Sequence, residues 1–182
     1  MNLVQRVRAI LVTPKLEWRV IAGEPSDTRW LFANYVAILA AIPALCGLIG
    51  WILVGLPLGT SILIALVRYV LSFVAVYLVA LIIDALAPTF DGEKNFENAL
   101  KLAVYSAAPF WLAGVFLLIP RLEFLRILGL YGIYLLWLGL PPLMRAPQQK
   151  STAYTGAIVG CIIVIGVIVA IGGGLLGMRR PF

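Results

Sequence analysis

The sequence predicts an all-α polytopic membrane protein: a bundle of five transmembrane helices behind an N-terminal interfacial amphipathic segment. Three observations carry this. Of its residues 63% are hydrophobic and only 12% charged, with a mean hydropathy of +1.04, whereas a soluble domain is about half apolar and about a quarter charged. A core built from 182 residues cannot hide that excess, so lipid must cover much of it. The apolar residues also fall in runs of roughly 20, enough to cross a hydrocarbon core of about 30 Å. Finally, runs such as residues 158–171 show no alternation, which excludes barrel strands with their apolar–polar period of two.

Residues 1–29 form a basic, amphipathic lead-in. Leu3, Val4, Val7, Ile10 and Leu11 mark one helix face, with Gln5, Arg6 and Arg8 outside it. Thr13 as cap and Pro14 as first residue start a second short helix, with Trp18 and Ile21 on its apolar side and Gly23 at its end. The pair is expected to lie on the membrane, with Trp18 at headgroup depth. A signal peptide is not indicated, because the apolar run is short, is broken by Pro14 and leads to no small-residue cleavage site.

A single membrane domain follows over residues 30–177, with a short basic tail at 178–182. Its spans are expected near residues 30–54 (capped by Ser26 or Asp27), 61–84, 99–120, 124–144 and 154–176. The central pair turns at Arg121-Leu122-Glu123 and carries Pro109 and Pro141-Pro142. Residues 88–98 form the main polar loop, with an Asp91-Gly92 turn, Asn95 as cap and Glu97 in the next first turn. Nine Lys and Arg (Arg6, Arg8, Lys15, Arg19, Arg29, Lys94, Lys101, Arg145, Lys150) lie on one side of the membrane, against four (Arg121, Arg126, Arg179, Arg180) on the other. This asymmetry predicts a cytoplasmic N-terminus and a C-terminus outside.

The net charge of +6 therefore reads as orientation and anionic-lipid contact at span ends, not nucleic-acid binding. Cys46 and Cys161 fall inside spans and are expected as buried thiols. Histidine is absent, which removes the commonest metal ligand and neutral-pH proton shuttle. The acidic loop around Asp91 lacks the EF-hand order of ligands. No cofactor or metal is expected, and no nucleophile–base or paired-carboxylate constellation points to an enzyme.

Arg68 is the conspicuous charge within a span. Its deep placement costs about 2.5–3.5 kcal/mol on insertion scales, so a partner is expected. Asp84 lies sixteen residues on, roughly 160° around the helix and more than about 20 Å away, and cannot serve. Pro43 and Pro109 free the carbonyls of Leu39 and Tyr105, so Arg68 is expected to point inward toward them, with Tyr105 or Ser106 close by. The functional reading is an anion or lipid-headgroup site. The structural reading is a clamp, or snorkelling to the outer surface. Asp84 could bridge to Lys101 or Arg145, face headgroups, or relay protons. Gly156 and Gly160 form a small-residue pair that would pack either a neighbouring span or a second protomer.

Three stretches together carry a family resemblance: residues 10–21 (ILVTPKLEWRVI), 90–109 (FDGEKNFENALKLAVYSAAP) and 133–140 (IYLLWLGL). In order and spacing the chain resembles the YIP (Ypt/Rab-interacting protein) family in its bacterial branch. The resemblance implies a five-span, N-in, non-enzymatic protein of the bacterial inner membrane that organises membrane or recruits protein partners at the cytoplasmic face. The Asp-Leu-Tyr-Gly-Pro motif of eukaryotic members is absent before the first span, and Leu130-Tyr131-Gly132 echoes it only in the wrong place. Val104-Tyr105 stands where those members have Gly-Tyr. The resemblance thus carries the bundle plan without a Rab-binding motif. The alternative is a small transporter or channel with a midplane site near Arg68, since proline-broken helices build such sites.

Overall fold

The computed structural model describes residues 2–25 and 27–177, with the backbone alone at residues 120 and 168–177. Ser26 and the 178–182 tail with Arg179 and Arg180 lie outside the described residues. The chain opens with a helical hairpin, α1 (Leu3–Val12) and α2 (Pro14–Gly23). The first span joins α3 (Thr28–Leu31) through a π-turn at Phe32–Val36 to α4 (Ala37–Leu53). Next come α5 (Leu58–Leu86), α6 (Phe96–Ala113), α7 (Tyr131–Met144) and α8 (Gln148–Gly177). Five segments are long and apolar enough to cross a membrane: Thr28–Leu53, Leu58–Phe90, Phe96–Leu118, Arg121–Met144 and Gln148–Val167. The protein is a multi-pass helical membrane bundle, as the sequence predicts.

The span starts follow the capping logic. Asp27 accepts from the Trp30 N–H at 2.9 Å and Asn95 from the Asn98 N–H at 3.0 Å. Pro14 does open α2, but the Thr13 hydroxyl donates back to the Ala9 carbonyl instead of capping forward. The central corner departs from two regular helices. Gly114–Leu118 and Pro120–Leu130 are 3-10 helix, the latter 11 residues long. Crowding is the cause: a Cβ at Gly114 would meet the Pro43 ring, and one at Gly129 the Phe110 backbone. The narrower 3-10 path lets the chain pass these neighbours.

α6 is the axis of the bundle. Of its most apolar window 72% is buried, against 22% for the second and fifth spans, so neighbours enclose α6 while α5 and α8 face outward. Close approach is made by glycine: a Cβ at Gly132 would overlap the Ser106 carbonyl, and one at Gly50 the Leu117 carbonyl. At the end that carries the hairpin, the two polar loops are strapped together. The Glu93 N–H donates to the Met144 carbonyl at 2.8 Å, Arg145 pairs with Glu93 at 2.9 Å, and Lys150 pairs with Asp91 at 2.5 Å.

Candidate functional site

The most organised polar cluster is where the hairpin meets α6. A capping box at Asn2 and Gln5 starts α1 and fixes its rotation. Arg6 and Ile10, four residues apart, then face inward. On α2 the inward stripe is Pro14, Glu17, Trp18 and Ile21. Two antiparallel helices joined at Thr13 therefore bring Arg6 opposite Glu17. The Arg6 guanidinium, only 4% exposed, donates to Glu17 and to both carboxylate oxygens of Glu24, one at 2.6 Å. From α6, the Lys101 ammonium donates to the carbonyls of Ile21 (3.2 Å) and Glu24 (2.5 Å), adding to the Glu24 N–H bond that Ile21 already accepts at the end of α2. Two cations thus balance two carboxylates. Burial works against the Arg6 charge, but the Glu24 hydrogen bond, Tyr105 and the two carboxylates outweigh it and hold its pKa above the ordinary arginine value.

Aromatic rings floor this network. Arg6 lies 5.9 Å from the Tyr105 centroid, and Tyr105 meets Trp18 (6.3 Å) and Tyr35 (4.7 Å) edge-on. Tyr35 comes from the π-turn, so the hairpin, the first span and α6 converge here. Trp18 is fully buried, set against Leu102 and against Gly139 of α7, where a Cβ would overlap it. Trp18, expected at headgroup depth, is thus covered by protein and does not face lipid, because the notch at Gly139 receives the indole. Arg6, expected outside the apolar face, is likewise buried, because Glu17 and Glu24 neutralise it. The outward side of the hairpin exposes Val4, Val12, Leu16 and Val20 together with Arg8, Lys15 and Arg19. Beside the network a cavity of about 150 Å³ is lined by Glu24, Asp27, Glu97, Lys101 and Tyr105.

Arg68 does not join Tyr105 or Ser106. It is exposed, and its guanidinium stacks on the Trp51 ring at 4.8 Å. The inward clamp fails for a geometric reason. Side chains tilt toward a helix N-terminus, which for α5 is the end near Trp51, away from the hairpin. Near the carbonyl freed by Pro43, it is Tyr69 that donates, to Ala37 at 3.1 Å. α4 and α6 continue through Pro43 and the buried Pro109. Arg68 shares a cavity of about 270 Å³ with Arg126, Ser72, Pro43 and Trp111. The Ser106 hydroxyl is buried without a partner and lines a different, apolar cavity of about 320 Å³ between α5, α6, α7 and α8.

Asp84 pairs with neither expected cation, since Lys101 holds α2 and Arg145 holds Glu93. One of its oxygens is buried with no hydrogen-bond partner among the described residues, beside the Ile83 carbonyl that accepts from Tyr154. Gly156 and Gly160 are exposed, and a Cβ on either would meet nothing within 4 Å. The neighbouring-span reading of that pair is therefore corrected: α8 packs through Ser151, Tyr154, Thr155 and Ile158. Cys46 and Cys161 are free and half-buried, not fully buried as expected. Among the described residues no three metal-ligating side chains gather.

Arg6, Glu17, Glu24 and Lys101 were not singled out by sequence reasoning. A signal did exist: Pro14, Glu17, Trp18 and Ile21 repeat at i, i+3, i+4, i+7, so an acid stands inside an apolar stripe and calls for a buried cation.

The Yip1 domain model matches residues 8–171. The chain is similar to "Inner membrane protein YohC" of Escherichia coli strain K12, and equally to that of strain O6:H1, at 24% identity over 170 residues covering 86% of this chain and 85% of the relative. No solved structure matches it. The match begins within α1, after Arg6, and takes in α2, the strapped loops and all five apolar spans, and the chain belongs to the Yip1 domain family.

Proposed function

We propose that the protein is a non-enzymatic, multi-pass inner-membrane protein that organises membrane or recruits protein partners at the cytoplasmic face, with its N-terminus inside. The hairpin carries this reading. Arg6, Glu17 and Glu24 fasten its inner side together, Lys101 ties it to α6 and Trp18 seats it on Gly139 of α7, so its outer side is held in place instead of floating free. That outer side combines apolar Val4, Val12, Leu16 and Val20 with basic Arg8, Lys15 and Arg19, the composition of a surface that engages anionic lipid and the headgroup boundary. The name of the Escherichia coli relative supports the inner membrane as location, and the excess of Lys and Arg on the hairpin side supports N-in.

A photo-crosslinking side chain in place of Leu16, in the full chain in its native membrane, tests this. Adducts with lipid headgroups or with a cytoplasmic protein are expected, and Arg6→Leu, which unlocks the hairpin, should reduce them. Adducts with neither would overturn the reading. Solute flux through protein-containing vesicles, abolished by Arg68→Gln, would replace it with the transporter alternative.

A further inference from the structure

We propose that Arg68 and Arg126 form a binding site for the phosphate of an anionic phospholipid, in the leaflet away from the hairpin. Arg68 sits ten residues into α5, about 15 Å from its start, and reaches back toward that start to lie on Trp51, two residues before α4 ends. Its charge is thus carried from mid-span toward the far membrane face. Arg126 reaches the same cavity from the 3-10 helix Pro120–Leu130, with its guanidinium 5.8 Å from the Phe110 centroid.

Among the described residues Arg68 has no counter-ion, and Arg126 has only an exposed one. A guanidinium has five N–H donors, and among the described residues Arg68 makes no hydrogen bond from its side chain and no ion pair. Arg126 pairs with Glu123 at 3.2 Å, on the surface and three residues apart, which is a weak interaction. Both planar cations rest on aromatic faces, which orients their N–H edges and leaves the donors of Arg68, and those of Arg126 not turned to Glu123, available to a ligand. Apart from Ser72, whose hydroxyl donates to the Arg68 carbonyl at 2.9 Å, the rest of the cavity wall is apolar, with Pro43, Leu71, Trp111 and Leu117. Two guanidinium groups with donors to spare beside a mainly apolar groove of about 270 Å³ match an amphiphile with a phosphate diester at one end and an acyl chain at the other. Two positive charges select a lipid with net negative charge over a zwitterionic one. Of the chain's own acids, Glu123 competes for Arg126 through one exposed contact at 3.2 Å, and Asp84 lies at the opposite end of α5.

The test is native mass spectrometry of the full-length protein in mild detergent, titrated with phosphatidylglycerol, with phosphatidylcholine of the same chains, and with inorganic phosphate. Phosphatidylglycerol should be retained in preference to phosphatidylcholine, and inorganic phosphate at matched concentration should not displace it. Arg68→Gln and Arg126→Gln should each weaken phosphatidylglycerol retention about tenfold. Arg68→Lys should fall between, and Arg121→Gln, outside the cavity, should match the wild type. Equal retention by the two Gln variants and the wild type would overturn the proposal. So would equal binding of the two lipids, displacement by inorganic phosphate, or a dimer that covers this face and excludes lipid. Should Arg68→Gln fail to fold as judged by gel filtration, Arg126→Gln decides, since Arg126 stands on the partly exposed 3-10 segment.

Discussion

Arg6 is the residue on which the hairpin depends. Removing one partner from a buried, hydrogen-bonded ion pair strands the others and costs about 3–5 kcal/mol. Arg6→Leu should therefore lower the thermal unfolding midpoint in detergent strongly and expose Trp18, read as a red shift and increased quenching of tryptophan fluorescence. Glu24→Gln should cost less, because the Glu24 side chain is 40% exposed and water screens its charge. Lys101→Met should loosen the end of α2 without creating a lone cation, by removing the donor to the Ile21 and Glu24 carbonyls. Titration of Arg6 will not release the hairpin. Its folded pKa is raised above that of the unfolded chain, so its stabilising contribution is complete below the unfolded value and lost only at still higher pH. At this scale the sequence was least legible. Arg68 stood out because its neighbours are apolar, yet its partner, Trp51, is an aromatic face, which no charge pattern announces. Arg6 and Glu17 passed as surface charges because each is flanked by others. Lys101, 80 residues from the carbonyl it caps, could be matched only in three dimensions.

The elements were more legible, and where they departed the cause is a neighbour. Spans, the Pro14 start of α2 and the caps at Asp27 and Asn95 follow from local chemistry alone. The 3-10 corner does not, since residues 114–118 and 124–130 read as ordinary helix on either side of a turn at 121–123, whereas Gly114 is crowded by Pro43 and Gly129 by Phe110 on other elements. Packing through glycine gives sharp expectations. Gly139→Leu should undock the hairpin, because the new side chain would need the space of Trp18 and Leu102; protease sensitivity near residues 12–25 should rise. Gly156→Leu should leave the monomer's stability unchanged, since nothing lies within 4 Å of a Cβ there. A changed oligomeric state in that variant, measured by light scattering, would identify the Gly156–Gly160 face as a contact between copies.

For the molecule as a whole, an odd number of spans puts the two termini on opposite sides of the membrane. With the N-terminus in the cytoplasm, a phosphatase fused after Phe182 should be active, and a fluorescent protein active only in the cytoplasm should be dark there. The opposite pattern would mean an inverted bundle. This scale was the most legible, because bilayer thickness and hydropathy act along the chain without reference to its folding. The hairpin then has a consequence in time. It leaves the ribosome ahead of α6 and α7, yet they supply its anchors: Lys101 is 77 residues beyond Glu24, and Tyr131, whose hydroxyl holds the Leu11 carbonyl, is 120 residues beyond Leu11. During synthesis Arg6, Glu17 and Trp18 must wait, unburied, while the first two spans are inserted and α6 emerges. The N-terminal segment is therefore a late-closing latch, and nascent chains arrested before α6 should carry an N-terminus open to proteases that the finished protein resists.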